Sequence, residues 1–310
     1  MDIFVLAGQS NMAGRGSVAE LPERYPAEDS QVMCFNGKGE WVQAREPLHV
    51  DIDLRKQHRC GVGPALVCAR ALLNLRKGSS LNDRAIGLVP CAIGGASLDE
   101  WQKNYSGEVG DCEGSTEAAA GTPVRASSPW SYKPGAHNLF GAMAERTEEA
   151  LRDAPRGSEL VGVLWFQGLQ YVLSPRWSWR QVGWLKGETD AITRDTAETY
   201  FDRFETLVQD IRGLGHRHLK IFTVAVTGAT TRLPHLTAVR NAQLKAGLSG
   251  GIDGVWVTDA LGLPMYPDGL HLTTEAQVKL GEAIALQIFT SSHSLEDIKA
   301  ATSNREGVDP

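Results

Sequence analysis

The chain has little cysteine, only Cys34, Cys60, Cys68, Cys91 and Cys112 in 310 residues. The odd count and irregular spacing exclude a disulfide framework. No pair stands at CxxC spacing, which removes the usual zinc and redox motifs, so neither a metal nor an organic cofactor is expected. Buried free thiols are the expectation, with a Cys34–Cys60 or Cys60–Cys91 bridge left open. Long apolar runs are missing as well: none approaches the ~20 residues that cross a bilayer. Lys and Arg are nowhere interleaved with aromatics in a block, and the net charge is -6. Both features argue against nucleic acid or another polyanion as partner. The N-terminus lacks a signal-peptide shape. Its first strand begins at residue 3, which equally fits a chain that has lost an upstream leader. The compartment therefore stays open between cytoplasm and, with a leader, secretion. No repeat of solenoid period appears, and nothing speaks to oligomeric state.

What remains is ordinary globular composition, 42% hydrophobic and 22% charged. The length allows one large domain or two small ones. Short apolar runs bounded by Gly, Pro or polar residues predict buried parallel strands at Ile3–Ala7, Ala85–Val89, Leu160–Phe166, Leu219–Val226 and Gly254–Thr258. Helices are predicted between them. Pro64–Leu75 opens with proline at a first helical position. Leu139–Leu151 follows a polar stretch. Ala197–Arg212 sets Tyr200, Phe201, Phe204, Leu207, Val208 and Ile211 on one face. Glu275–Phe289 follows Thr274, with Gln277 three residues on in a capping-box pattern.

This alternation predicts an α/β domain over residues 1–291 with a mainly parallel five-stranded sheet between helix layers. Functional residues then belong beyond the carboxyl ends of the strands. Two long stretches break the rhythm, roughly 104–136 and 169–187. The second carries three of the eight tryptophans. Loops of this length are usually lids or disordered segments. A polar tail, 292–310, closes the chain.

Four strand ends carry groups that could do chemistry. Gly8-Gln9-Ser10-Asn11-Met12 follows the first strand, where a sharp turn exposes a serine beside backbone N–H donors. The same residues also suit a Ser/Asn helix cap, and they are not the G-x-S-x-G elbow. Asp268-Gly269-Leu270-His271 lies between the fifth strand and the last helix. Histidine supplies the base a serine hydroxyl needs, and a carboxylate three residues earlier can fold back onto its other ring nitrogen. A turn-forming Asp-Gly with an incidental histidine is the plainer alternative. Pro90–Ser97 contains Gly94-Gly95, which permits a close backbone approach to a developing oxyanion or simply makes a tight turn. Gln167, ending the third strand in Trp165-Phe166-Gln167-Gly168, adds an amide donor or a loop glutamine. In a parallel sheet all four ends share one edge.

With those residues in view, the chain resembles the SGNH hydrolases, and more narrowly the plant-type members of carbohydrate esterase family six, relatives of sialate O-acetylesterases. The matching stretches are IFVLAGQSNMAGRG (3–16), AREPLH (44–49), CGVGPA (60–65), LVPCAIGGASLDEW (88–101), VLWFQG (163–168), VRNAQL (239–244) and DGLHLT (268–273). They span nearly the whole chain in family order. The resemblance implies a flavodoxin-like three-layer αβα sandwich and removal of O-acetyl groups from carbohydrates. It implies Ser10 as nucleophile, His271 as base and Asp268 as the residue that orients it. The Ser10 N–H, a glycine N–H of Gly94-Gly95 and the Gln167 side chain would form the oxyanion hole. Gln9, Asn11 and Glu188 would contact substrate.

One departure stands out. The family reads W-x-Q-G-E-S-D without a break, whereas here nineteen residues, 169–187, separate WFQG from Glu188-Thr189-Asp190. Aligning Lys186 with the family glutamine is disfavoured, because Gln167 directly follows the strand. Two other functions remain in view. A homologue whose oxyanion hole is broken by the insertion would only bind acetylated glycans, and turnover by the purified chain separates it. A lipase- or thioesterase-like hydrolase on the same fold would prefer longer acyl chains.

Overall fold

The computed structural model describes residues 1–26, 28–53, 60–77, 84–106, 138–167, 190–231 and 233–292, with Glu28 and Asp29 described by backbone alone. Seven strands form one sheet: β1 Asp2–Gly8, β2 Glu28–Phe35, β3 Trp41–Arg45, β4 Ile86–Pro90, β5 Glu159–Phe166, β6 Lys220–Ala225 and β7 Val255–Asp259. Their spatial order is β3-β2-β4-β1-β5-β6-β7. The expected count of five is corrected to seven. The five strands foreseen from apolar runs lie side by side as β4-β1-β5-β6-β7, all parallel. The two unforeseen ones extend the β4 edge. β2 is parallel to β4, while β3 is antiparallel to β2 at the rim. An edge strand covered on one side needs no continuous apolar run, and β3 buries only Ala44.

The helices are α1 Ser10–Ala13, α2 Ala65–Leu75, α3 Leu139–Arg152, α4 Arg194–Glu198, α5 Tyr200–Gly213, α6 Leu236–Ala246 and α7 Thr274–Thr290. Alternate side chains of the central strands face opposite layers, as the two-residue strand period requires. Phe4, Ile86, Leu88 and Leu164 meet Ala65, Cys68 and Leu72 of α2 and Ile288 of α7. Val5 and Val163 meet Met143 and Thr147 of α3 and Ile211 of α5. α6 packs on α5, β6 and β7.

The single helix expected over Ala197–Arg212 is divided at Thr199. Its hydroxyl donates to Asp195 O (2.7 Å) and accepts from Arg203 Nε (3.2 Å). Such side-chain bonding to nearby backbone competes with regular helix. The expected face of α5 is buried except at Phe201, which is half-buried under the Lys245 ammonium. The start of α7 also moves. Thr273, not Thr274, is the cap and accepts from Ala276 N–H (3.2 Å). Gln277 is buried against the site and is not a capping residue. α6 was not foreseen, because its inward face includes the polar Gln243.

Cys34, Cys60, Cys68 and Cys91 are free thiols, so neither bridge considered above forms. Cys112, most of 104–136, the 169–187 stretch and nearly all of the 292–310 tail lie outside the described residues. Among the described residues no helix is long and apolar enough to cross a membrane.

Candidate active site

β1 sits at the topological switch of the sheet, with β4 on one side and β5 on the other. A crevice opens at the carboxyl ends of strands at such a point. The turn that leaves β1 is wedged between both neighbours. Gln9 N–H donates to Phe166 O (2.9 Å), and Ile93 N–H donates to Gly8 O (3.1 Å). Gly8 has φ +118°, and a Cβ there would stand 2.2 Å from Phe166 O. No other residue type fits that turn.

Ser10 opens α1. Gln9 occupies the cap position and no side chain caps the helix, so the helix-cap reading of Ser10 falls away. The Ser10 Oγ lies 3.0 Å from His271 Nε2. The other ring nitrogen, Nδ1, lies 2.7 Å from Asp268 Oδ2. Asp268 Oδ1 accepts from the backbone N–H groups of Leu270 (2.9 Å) and His271 (3.0 Å). Burial alone would raise the Asp268 carboxyl. The two backbone donors and the imidazole outweigh burial and hold the group below the usual carboxylate range. Asp268 therefore stays ionised at neutral pH. The loop also closes on itself, since Tyr266 N–H donates to His271 O (2.8 Å) and Thr273 N–H to Pro264 O (3.1 Å).

The loop after β4 runs beside this triad-like set. Ala96 N–H donates to Ile93 O (3.2 Å), closing a turn in which Gly95 has φ +75°. That positive φ places Gly94-Gly95 at the corner of a tight turn next to the end of β1.

Gln167 departs from its expected part. It is fully buried. Its Nε2 donates to Asp190 Oδ2 (2.6 Å) and Ala96 O (3.3 Å), and its Oε1 accepts from the Tyr200 hydroxyl (3.2 Å). Both amide hydrogens are engaged, so the side chain underlies the Gly94-Gly95 turn rather than presenting a donor to the cleft. Asn11 departs too. It is buried, and its amide is engaged by Leu270 and Leu272 instead of facing substrate. Gln9 is buried next to Ser10. Glu188 lies outside the described residues.

The polar network under the site escaped the sequence reading. Asp190 accepts from Leu98 N–H (3.0 Å) as well as from Gln167. Arg203 spans Asp190 and Asp99, each at 2.7 Å. Gln243 donates to Gln167 O (2.8 Å) and to the Tyr200 hydroxyl (3.0 Å). Burial pushes Asp190 up, against the pull of Arg203, Gln167 and Leu98 N–H. The available signal was the Glu188-Thr189-Asp190 piece of the interrupted motif and the VRNAQL stretch, which contain Asp190 and Gln243 but named no role. The AREPLH stretch adds a second buried set. Burial raises Glu46 to about 8 and lowers His49 to about 3, so His49 is uncharged at neutral pH. Beside them Arg15 pairs with Asp53 at 2.8 Å.

The Gln167–Asp190 bond also bears on the departure at 169–187. Gln167 and Asp190, the nearest described residues on either side of that stretch, are hydrogen-bonded to each other at 2.6 Å. Deleting 169–187 leaves Gly168, Glu188 and Thr189 to join them. An extended chain covers about 3.3–3.6 Å per residue, enough for such a gap. The shortened chain is therefore expected to fold and to melt within about 5 °C of the parent. Circular dichroism melts check this. Loss of cooperative unfolding would show that the excised residues are structural.

Among the described residues no cluster of His, Cys, Asp and Glu could hold a metal ion. The arrangement offers a hydroxyl, a base, a carboxylate behind the base and a glycine turn alongside.

Known proteins resemble this chain over most of its length. A family model described as carbohydrate esterase, sialic acid-specific acetylesterase matches residues 1–181 and 174–290. The two matches meet inside the interrupting stretch. A probable carbohydrate esterase of Arabidopsis thaliana is 34% identical over 296 residues, covering 91% of this chain and 88% of that protein. A crystal structure of an Arabidopsis thaliana protein superposes with a TM-score of 0.68 at 32% identity, over 93% of this chain and 98% of the other. NanS shares the fold, with a TM-score of 0.59 at 18% identity over 93% and 96% of the two chains.

Proposed function

Since the chain belongs to the carbohydrate esterase, sialic acid-specific acetylesterase family, we propose that it removes O-acetyl groups from carbohydrates with Ser10 as nucleophile, His271 as base and Asp268 as the orienting carboxylate. The observation that carries this is the Ser10–His271–Asp268 chain of contacts at 3.0 and 2.7 Å. These are distances at which a proton can pass from hydroxyl to imidazole.

The steps balance without a cofactor. His271 Nε2 takes the Ser10 proton as Oγ attacks the acetyl carbonyl. The tetrahedral oxyanion is stabilised by the Ser10 N–H and a glycine N–H of Gly94-Gly95. Gln167 is left out, because its amide hydrogens are already engaged. The C–O bond to the sugar breaks, and His271 returns the proton to the leaving oxygen. Water then attacks the acetyl-serine with His271 again as base, releasing acetate and restoring Ser10. Asp268 accepts from Nδ1–H throughout, which keeps the Nε2 lone pair toward Ser10 and stabilises the imidazolium.

The test is direct. Purified protein should release acetate from O-acetylated sugars and hydrolyse an aryl acetate at least about tenfold faster than the corresponding octanoate. Equal or faster cleavage of the long acyl chain would favour a lipase- or thioesterase-like enzyme instead. The reading in which the cleft only binds acetylated glycans has no support among the described residues.

A further inference from the structure

Asn11 follows the nucleophile in α1 and is 2% exposed. Its Nδ2 donates to Leu270 O (3.0 Å), and its Oδ1 accepts from Leu272 N–H (3.0 Å). The two bonds grip the backbone on either side of His271. The backbone carbonyl of Asn11 accepts in turn from Gln277 Nε2 (3.2 Å), at the start of α7. Most other bonds that shape the histidine loop stay within it: Asp268 to Leu270 and His271, Tyr266 to His271, and Thr273 to Pro264. Two leave it, Ala229 N–H donating to Gly269 O (3.0 Å) and the Tyr266 hydroxyl to Glu20 Oε2 (3.3 Å), and neither reaches β1 or α1. Only an amide of this length supplies a donor and an acceptor together. Aspartate lacks the donor, leucine lacks both, and glutamine is one carbon too long.

We propose that Asn11 is a positioning residue, whose amide holds the loop bearing His271 in register with Ser10 and which acts on the reaction through His271 alone. The proposal rests on the triad reading above. A base displaced by about 1 Å can cost roughly 10²-fold in rate. Buried peptide groups left without the amide also lose their partners, which loosens the loop further.

The experiment is a double-mutant cycle in the full chain, followed with an aryl acetate and an acetylated sugar. Asn11→Ala should lower kcat by about 10–100-fold with KM within about twofold. In a His271→Ala background the same substitution should cost less than about threefold, because nothing remains to be positioned. Asn11→Asp keeps the acceptor for Leu272 N–H at nearly the same volume, and it decides the matter if the alanine variant fails to fold. It too should lower kcat and leave KM in place. Three results would overturn the proposal. One is an equal loss in the His271→Ala background. Another is a raised KM with kcat kept, the mark of a substrate contact. The last is wild-type kcat in Asn11→Asp. His271→Ala alone keeps the two readings apart: if it hydrolyses normally, the triad assignment fails whatever Asn11 does.

Discussion

Replacing Ser10 by alanine is expected to abolish ester hydrolysis, by about 10⁵–10⁶-fold in kcat. The expectation rests on what stands around the Oγ. It is the hydroxyl that His271 faces, at 3.0 Å. Without it, His271 could at most activate water, and the gain from a nucleophile fixed beside the base is lost. The substitution removes a single oxygen from a position 5% exposed. Ser10 Oγ caps no helix, so the melting temperature should hardly move. An aryl acetate assay and a thermal melt read the two quantities separately. Wild-type turnover by Ser10→Ala, with folding intact, would end the serine-nucleophile reading. A single acetyl adduct trapped on Ser10 in the wild-type chain would support it.

Asp268→Asn carries the second largest effect, a fall in kcat of about 10²–10⁴-fold with KM little changed. The two carboxylate oxygens of Asp268 have different tasks. Oδ1 holds the loop through Leu270 and His271 N–H, while Oδ2 faces the imidazole Nδ1. Asparagine keeps an oxygen for the first task. It then turns an NH2 toward Nδ1, which can only accept if the ring proton moves to Nε2. In that tautomer Nε2 donates to Ser10 and cannot take its proton. The fold should survive, because the pair is partly exposed, at 19% and 35% for the two side chains, and solvent screens it. Steady-state kinetics with a circular dichroism melt tests both halves. An Asp268→Asn enzyme at wild-type rate would show that the contact to Nδ1 does no work in catalysis.

Linkage gives this carboxylate a pH signature as well. Its folded pKa is depressed, so its share of stability is present above the unfolded value and is lost as the pH falls through the folded one.

Five strands were legible because each is a buried apolar run, and burial on both faces writes itself into sequence directly. β2 and β3 were not, since an edge pair needs few apolar positions. α6 escaped for a related reason: Gln243 lies on its inner face and is satisfied by Gln167 and Tyr200, partners distant in sequence. The cap of α7 fell on Thr273 instead of Thr274. Two adjacent threonines offer the same hydroxyl, and only the approach of Ser17 and Glu20 decides which one is drawn away.

Taken alone, the sequence determined the α/β class and the family, and it named the three residues on which the triad proposal rests. Each of these depends on local pattern or on short motifs: apolar runs, G-Q-S-N-M, D-G-L-H. Tertiary structure decided which polar side chains those motifs actually use. Gln167 turned inward to Asp190, and Asn11 turned to the histidine loop. The reason is physical. A buried amide must find both a donor and an acceptor, and its partners lie 23 to 261 residues away. No periodicity in the chain records them until the strand ends are brought to one edge.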